Sequence, residues 1–428
     1  MKTLYWEKGE FKWWILLLAA YHFFPFITTK GSILLYAWAY GIPLLYIACN
    51  LNYLKRVFHL VIHTEVFAGV CFLVVLTCMS IFIPVLYGTN DFEYLSGAIL
   101  TVVKIAIRML FLIMVIIKNI PKATKETFMK YFIFSCCLYV LGTIVMLLVP
   151  PVKDIFYELV KESVHSKTLA LETRYSTRYG WAGFSGFEHT FKCVLAVIFN
   201  DYLIRKVMKN KKMWLMLGVS IFLLIGTLFY GRVGFLFGIV VMMFFFLRLL
   251  SKRPKILLIV LGVCAVGAVT LIIMSNINDS VKAWVNWAFD LFITFVETGK
   301  LQTESSNVLL EKMLFVPEIK TILMGDGRYA GDTGAYYMGT DAGVMRPLLF
   351  GGILFAFIRY MSMLAVLIPY ILKKWSAKAE RTLFAWTILL TLVLEIKGEI
   401  LFSCLPIIIW VIVMDKYEKT EVRKWKET

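Results

Sequence analysis

Long apolar runs alternate with short polar stretches along the chain. By the usual criterion of about 20 apolar residues per membrane crossing, the pattern predicts about twelve transmembrane helices. They fall near 13–28, 32–49, 66–87, 95–117, 128–149, 189–204, 213–230, 232–250, 256–274, 342–372, 381–395 and 400–414. The tenth is long enough to require tilt, a bend near Pro347, or a re-entrant start. Lys and Arg recur in every second loop, from Lys2, Lys8 and Lys12 before the first span to the basic tail, which predicts that these loops and both termini face the cytoplasm. Two longer polar stretches then lie outside, 150–188 and 275–341, within a single integral membrane domain spanning 1–428. In the second, Trp284, Trp287, Leu291 and Phe295 share one helical face opposite Lys282, Asn286, Asp290 and Thr294. This helix either lies in the outer leaflet or packs over the bundle.

Composition agrees with an all-α polytopic membrane protein: the 428 residues are 60% hydrophobic and 17% charged, with a mean hydropathy of +0.78. The formal charge of +17 is accounted for by the basic loops, so it does not point to a nucleic-acid partner. The first apolar run lacks a small-residue cleavage site and reads as a retained span. All eight cysteines lie in or beside apolar segments, which predicts neither a loop disulfide nor a zinc site. The basic loops leave no room for a nucleotide-binding domain and contain no P-loop. Chemistry, if present, belongs outside, on a substrate carried in the membrane.

The stretch Gly325–Gly352 runs from a glycine-rich, tyrosine-bearing loop into an apolar helix and carries Arg328, Tyr329, Asp341 and Arg346. Glycines allow close approach of a ligand, and arginine forks suit phosphate. Arg232 lies between Gly231 and Gly234 at an outer helix end, as an anion ligand or a snorkelling anchor. Arg174 and Arg178, interleaved with Tyr175, Tyr179 and Trp181, suit a glycolipid diphosphate, or anchor the loop at the interface. Lys104 with Arg108, Lys192 and Arg359 are intramembrane cations expected to have structural partners. Glu188 and His189 are external candidates. No DxD pair or metal-ligand cluster is apparent, so neither a catalytic metal nor a cofactor is expected.

These features resemble the bacterial polysaccharide repeat-unit polymerases of O-antigen and capsule, the Wzy-like proteins, which are related to O-antigen ligases. The segment GTDAGVMRPLLFGGILF is similar to that family's Asp, Gly, apolar, Gly-Gly step, and Arg328 to Gly339 fits its pattern of arginine, ten residues and glycine. Arg174 and Arg178 depart from that pattern, and Thr340 and Asp341 stand where the ligases carry a His-Asn pair. The resemblance implies a GT-C-like membrane fold in the bacterial plasma membrane. It also implies metal-independent glycosyl transfer between undecaprenyl-diphosphate-linked oligosaccharides, with a flippase and a chain-length regulator as further partners. Arg232 and Arg328 would clamp the diphosphate, with Arg174, Arg178 and Arg346 in support. Asp341 would act as base or hydroxyl ligand, with Glu188, His189 and Tyr329 lining the site. Ligation, and transport of a lipid-linked oligosaccharide, remain the alternatives.

Overall fold

The structure is a computed structural model that describes residues 6, 9–26, 32–160, 178–184, 186–207, 212–250, 262, 267, 269–300, 303–331, 335–372 and 377–427. Its principal helices are α1 (Trp13–Phe23), α2 (Ile33–Cys49), α3 (Leu51–Ile62), α4 (Val66–Leu86), α5 (Tyr94–Asn119), α6 (Lys125–Leu148), α7 (Pro150–Leu159), α8 (Phe187–Val207), α9 (Lys212–Thr227), α10 (Arg232–Leu250), α11 (Asp279–Thr298), α12 (Ile319–Met324), α13 (Met345–Leu372), α14 (Lys378–Glu395) and α15 (Leu401–Glu427). Among the described residues, α4, α5, α6 and α13 are long and apolar enough to cross a membrane, and α2 with α3 forms one further broken span bent by 95°. The protein is therefore an all-α membrane protein. Among the described residues the one small sheet is a ribbon pairing Tyr179–Gly180 with Gly183–Phe184, in the polar stretch 150–188. Most of the ninth predicted span lies outside the described residues.

The central helix is α8, buried without interruption from Thr190 to Ile204 and packed by α6, α9, α10 and α14. Burying a polar group on such a helix is costly unless it is hydrogen-bonded. Asn200 meets this by donating to the Met216 carbonyl at 2.5 Å and to Ser220 Oγ at 2.7 Å.

With 11 residues, α1 is about 16 Å long and too short for a hydrocarbon core of about 30 Å. It ends inside the bundle, where its last carbonyls need donors. Arg108 Nη1 donates to the His22 carbonyl (3.0 Å), Lys192 Nζ to that of Phe23 (2.7 Å) and Trp181 Nε1 to that of Phe24 (3.1 Å). Two of the cations expected from sequence to have structural partners, Arg108 and Lys192, thus complete a helix end. Arg359 pairs with Glu395, both fully buried.

The break in α13 falls at Gly352 (φ 73°, ψ −173°) rather than near Pro347. Pro347 occupies the first turn, where its missing N–H has no intrahelical partner to lose. At the break the Leu349 and Phe350 carbonyls accept from the backbone N–H groups of Asp326 (2.7 Å) and Gly327 (3.0 Å). The stretch 325–327 is thereby docked on the broken helix. A Cβ at Gly325 would stand 2.5 Å from the Phe350 carbonyl oxygen, and one at Gly352 would stand 2.5 Å from that of Leu323, so only glycine fits either position.

The first half of α11 packs inward, with Trp284 buried and stacked on Phe229 at 4.7 Å, whereas Phe295 and Val296 are exposed. α15 continues well past the predicted 414, as a 27-residue helix.

Candidate functional site

The starts of α5, α8, α13 and α15 meet at one end of the bundle around a cavity of about 570 Å³. It is lined by Glu93 and Thr101 from α5, Glu188 and His189 from α8, Asp341 and Arg346 at the start of α13, Glu399 and Phe402 around the start of α15, and Tyr329 and Tyr336 from the loop before α13. Five residues singled out from sequence thus share one chamber: Glu188, His189, Tyr329, Asp341 and Arg346.

Arg346 is held firmly. Its guanidinium lies 3.6 Å from the centre of the Tyr329 ring and 4.7 Å from that of Tyr336, and Nη1 donates to Glu399 Oε2 at 2.7 Å. The Tyr329 hydroxyl donates to the same carboxylate oxygen. Asp91 Oδ2 fixes the loop from below, accepting from the backbone N–H groups of Tyr329 (2.6 Å) and Ala330 (2.8 Å). Burial and the Glu399 carboxylate push the Tyr329 phenol well above its ordinary range. Glu395 Oε1 caps the start of α15, accepting from Ile400 N and Leu401 N at 2.6 Å each. The turns 341–344 and 395–398 touch so closely that a Cβ on Gly343 would lie 2.8 Å from the Gly398 carbonyl oxygen.

Asp341 borders a second feature. Arg232, the first residue of α10, donates through Nη1 to Asp290 Oδ2 (2.5 Å) and through Nη2 to Ser305 Oγ (3.4 Å). Lys397 Nζ donates to the same Ser305 Oγ at 3.0 Å. The guanidiniums of Arg178 and Arg232 each stand 5.2 Å from the centre of the Trp287 ring. Burial and neighbouring Arg232 push Arg178 down to about 10, against the opposing pull of Asp341. Burial and the two arginines push Lys397 down to about 8. Burial raises the Asp341 carboxyl, although Lys397, Arg346 and Arg178 pull it the other way. Three cations thus cluster under α11 beside two carboxylates, Asp290 and Asp341, a grouping whose chemistry suits an anion.

Four buried polar atoms on the chamber wall lack a hydrogen-bond partner among the described residues: Asp341 Oδ1, Glu399 Oε1, Arg346 Nε and His189 Nδ1. Buried polar atoms are nearly always satisfied, so orphans collected around a cavity mark a place for a polar ligand.

Arg328 borders neither feature. It lines a separate cavity of about 270 Å³ with Asn90, Asp91 and Glu93, and Glu93 lines both chambers. The pairing of Arg232 with Arg328 expected from sequence therefore takes a different form: Arg232 is grouped with Arg178 and Lys397. Arg174 lies outside the described residues. Sequence reasoning missed Glu93, Lys397 and Glu399. The signal for the last two was the motif EIKGEI, charges set around a glycine in a very short turn between two apolar spans.

Comparison with known protein families, with curated proteins and with solved structures gives no match.

Proposed function

We propose that the chain is an oligosaccharide repeat-unit polymerase of the bacterial plasma membrane, with about twelve spans in a GT-C-like arrangement and both termini in the cytoplasm. The observation that carries this reading is the position of Asp341, which lines the polar chamber and also faces the cations Arg178 and Lys397. A saccharide hydroxyl has a place on one side of its carboxylate and a diphosphate on the other.

In this reading Asp341 accepts the proton of an acceptor hydroxyl as that oxygen forms its bond to the anomeric carbon. The bond from that carbon to the phosphate oxygen breaks, and its electron pair leaves with the lipid diphosphate. Arg178, Arg232 and Lys397 meet the charge that develops on the leaving group, in a half-buried setting where charge stabilisation is stronger than in water. Arg346, Tyr329 and Tyr336 form the wall against the saccharide, and Arg328 contacts the chain further along, in the adjoining cavity. A positioned base contributes roughly 10²–10⁴-fold in rate.

The test is polymer length on a gel from cells lacking the gene, complemented with the intact chain or with Asp341→Asn, Arg232→Ala or Arg328→Ala. A single capped repeat unit in the deletion strain, a ladder restored by the intact chain, and no ladder with Asp341→Asn or Arg232→Ala support polymerisation. Long polymer left unattached in the deletion strain overturns it in favour of ligation, and the absence of any repeat unit outside overturns it in favour of transport.

A further inference from the structure

We propose that the saccharide seated in the 570 Å³ chamber is neutral or carries an amino group, and bears no carboxylate. This rests on the polymerase reading and concerns what the chamber still has to offer a ligand. Four of its lining side chains are carboxylates: Glu93, Glu188, Asp341 and Glu399. Arg178 and Lys397 face Asp341 from the side assigned to the diphosphate, and the basic groups nearest the other carboxylates are already engaged. Lys192 Nζ donates to Glu188 (2.5 Å) and to the Phe23 carbonyl (2.7 Å). Arg346 donates to Glu399 and is stacked between two tyrosines.

Four helices start at the chamber, and their positive ends would by themselves favour an anion. Their leading N–H groups, however, are largely engaged by the chain's own acceptors. Glu395 takes those of Ile400 and Leu401, the Ala342 carbonyl takes those of Met345 and Arg346, and the Gly186 carbonyl takes that of His189. What remains toward the cavity is weighted to acceptors: the exposed Glu93 carboxylate and the unpartnered Asp341 Oδ1 and Glu399 Oε1 stand against the donor Arg346 Nε, with His189 Nδ1 and the Ser403 hydroxyl able to serve either way. Sugar hydroxyls and a protonated amino group supply the donors such a wall lacks. A uronic acid would bring a further carboxylate to Glu93 and Asp341, and juxtaposed like charges discriminate strongly.

The experiment uses the full chain in lipid nanodiscs and measures binding of three free oligosaccharides of equal length by saturation-transfer NMR: all-neutral, one with a glucosamine unit, and one with a glucuronate unit. The neutral and amino-bearing chains are expected to bind at least tenfold more tightly than the glucuronate chain, and Glu93→Gln is expected to narrow that gap. Equal or tighter binding of the glucuronate chain, or an unchanged gap in Glu93→Gln, overturns the proposal. A parallel arm supplies lipid-diphosphate repeat units with and without a uronic acid to membrane vesicles. Polymer formed equally well from both overturns this proposal alone, whereas polymer from neither overturns the polymerase reading beneath it.

Discussion

Two clusters of buried charge stand at opposite ends of the bundle, and they differ in what they leave unsatisfied. At the end where α6 begins, Lys125 is held between Glu380 and Asp415, Lys419 closes on the other oxygen of Asp415 at 2.6 Å, and Glu10 accepts from Thr127 and Lys130 at 2.6 and 2.7 Å. The void beside Lys125 is only about 10 Å³. At the end where α8 begins, four carboxylates and Arg346 line a chamber of about 570 Å³, the cations Arg178, Arg232 and Lys397 gather next to it, and Asp341 Oδ1 has no partner. The first cluster ties α6, α14 and α15 together. The second is paired in part, through Arg232 with Asp290 and Arg346 with Glu399, but leaves unpartnered polar atoms around an open chamber, as a binding site can and a structural tie need not.

The contrast predicts opposite responses to mutation. The largest effect belongs to the closed cluster: Lys125→Met strands Glu380, leaves Asp415 with Lys419 alone, and is expected to cost about 3–5 kcal/mol in unfolding experiments in detergent. Joint replacement of Lys125, Glu380 and Asp415 by apolar residues should restore most of that loss, because a buried ion pair removed whole is often nearly neutral. A single-mutant cost below about 1 kcal/mol would mean that this cluster is no tie. Next comes the scaffold of the open cluster. Gly352→Ala places a side chain in a backbone region nearly restricted to glycine, at a cost of about 1–3 kcal/mol, and pushes on the Leu323–Met324 backbone, just before the 325–327 stretch that leads to Tyr329. It should lower both melting temperature and polymer yield, and an unchanged melting temperature would show that the break in α13 tolerates a Cβ. Smaller still in stability is Asp341→Asn, expected within about 0.5 kcal/mol of the intact chain because no hydrogen bond to Oδ1 is lost. Its polymer yield should nevertheless fall by roughly 10² or more. A stability loss above about 2 kcal/mol would place Asp341 among the structural ties.

The helices were legible in sequence because a membrane-crossing helix needs a long apolar run, and α4, α5 and α6 coincide with the predicted spans to within a few residues. The kink was not legible. Proline has a strong local signature but is harmless in a first turn, whereas Gly352 breaks α13 because a loop more than twenty residues earlier supplies donors to the freed carbonyls. The same limit explains the cations. Arg108 and Lys192 invited a search for acidic partners, but Arg108 meets the carbonyl of a helix that ends early, a fact set by the length of α1. Five chamber residues were found from residue type and loop position. Lys397 and Glu399 were not, since Ser305 and Arg346, which hold them, lie 92 and 53 positions away in sequence.

The smallest effect is a pH dependence confined to the open cluster, and Lys397 sets its sign. The groups facing it are Arg232 from α10, Arg178 from the ribbon, Asp341 from the turn before α13 and the Ser305 hydroxyl. Burial and the two arginines depress its folded value to about 8, whereas an unfolded lysine titrates near ~10.4. Below pH 8 the folded chain carries an unfavourable ammonium there. Between pH 8 and the unfolded value, the unfolded chain holds a proton that the folded chain has released, so stability rises with pH across that window. Anion binding runs the other way, because the charge that attracts a phosphate is lost in the same window. Binding of farnesyl diphosphate to the chain in nanodiscs, measured from pH 7 to pH 9.5, should weaken by up to about tenfold around pH 8. It should stay level in Lys397→Arg, whose guanidinium keeps its charge. A flat profile in the intact chain would remove Lys397 from the anion site and leave Arg178 and Arg232 as its cations. A step near pH 8 that the arginine variant abolishes would show that the open cluster titrates through the group its neighbours hold poised.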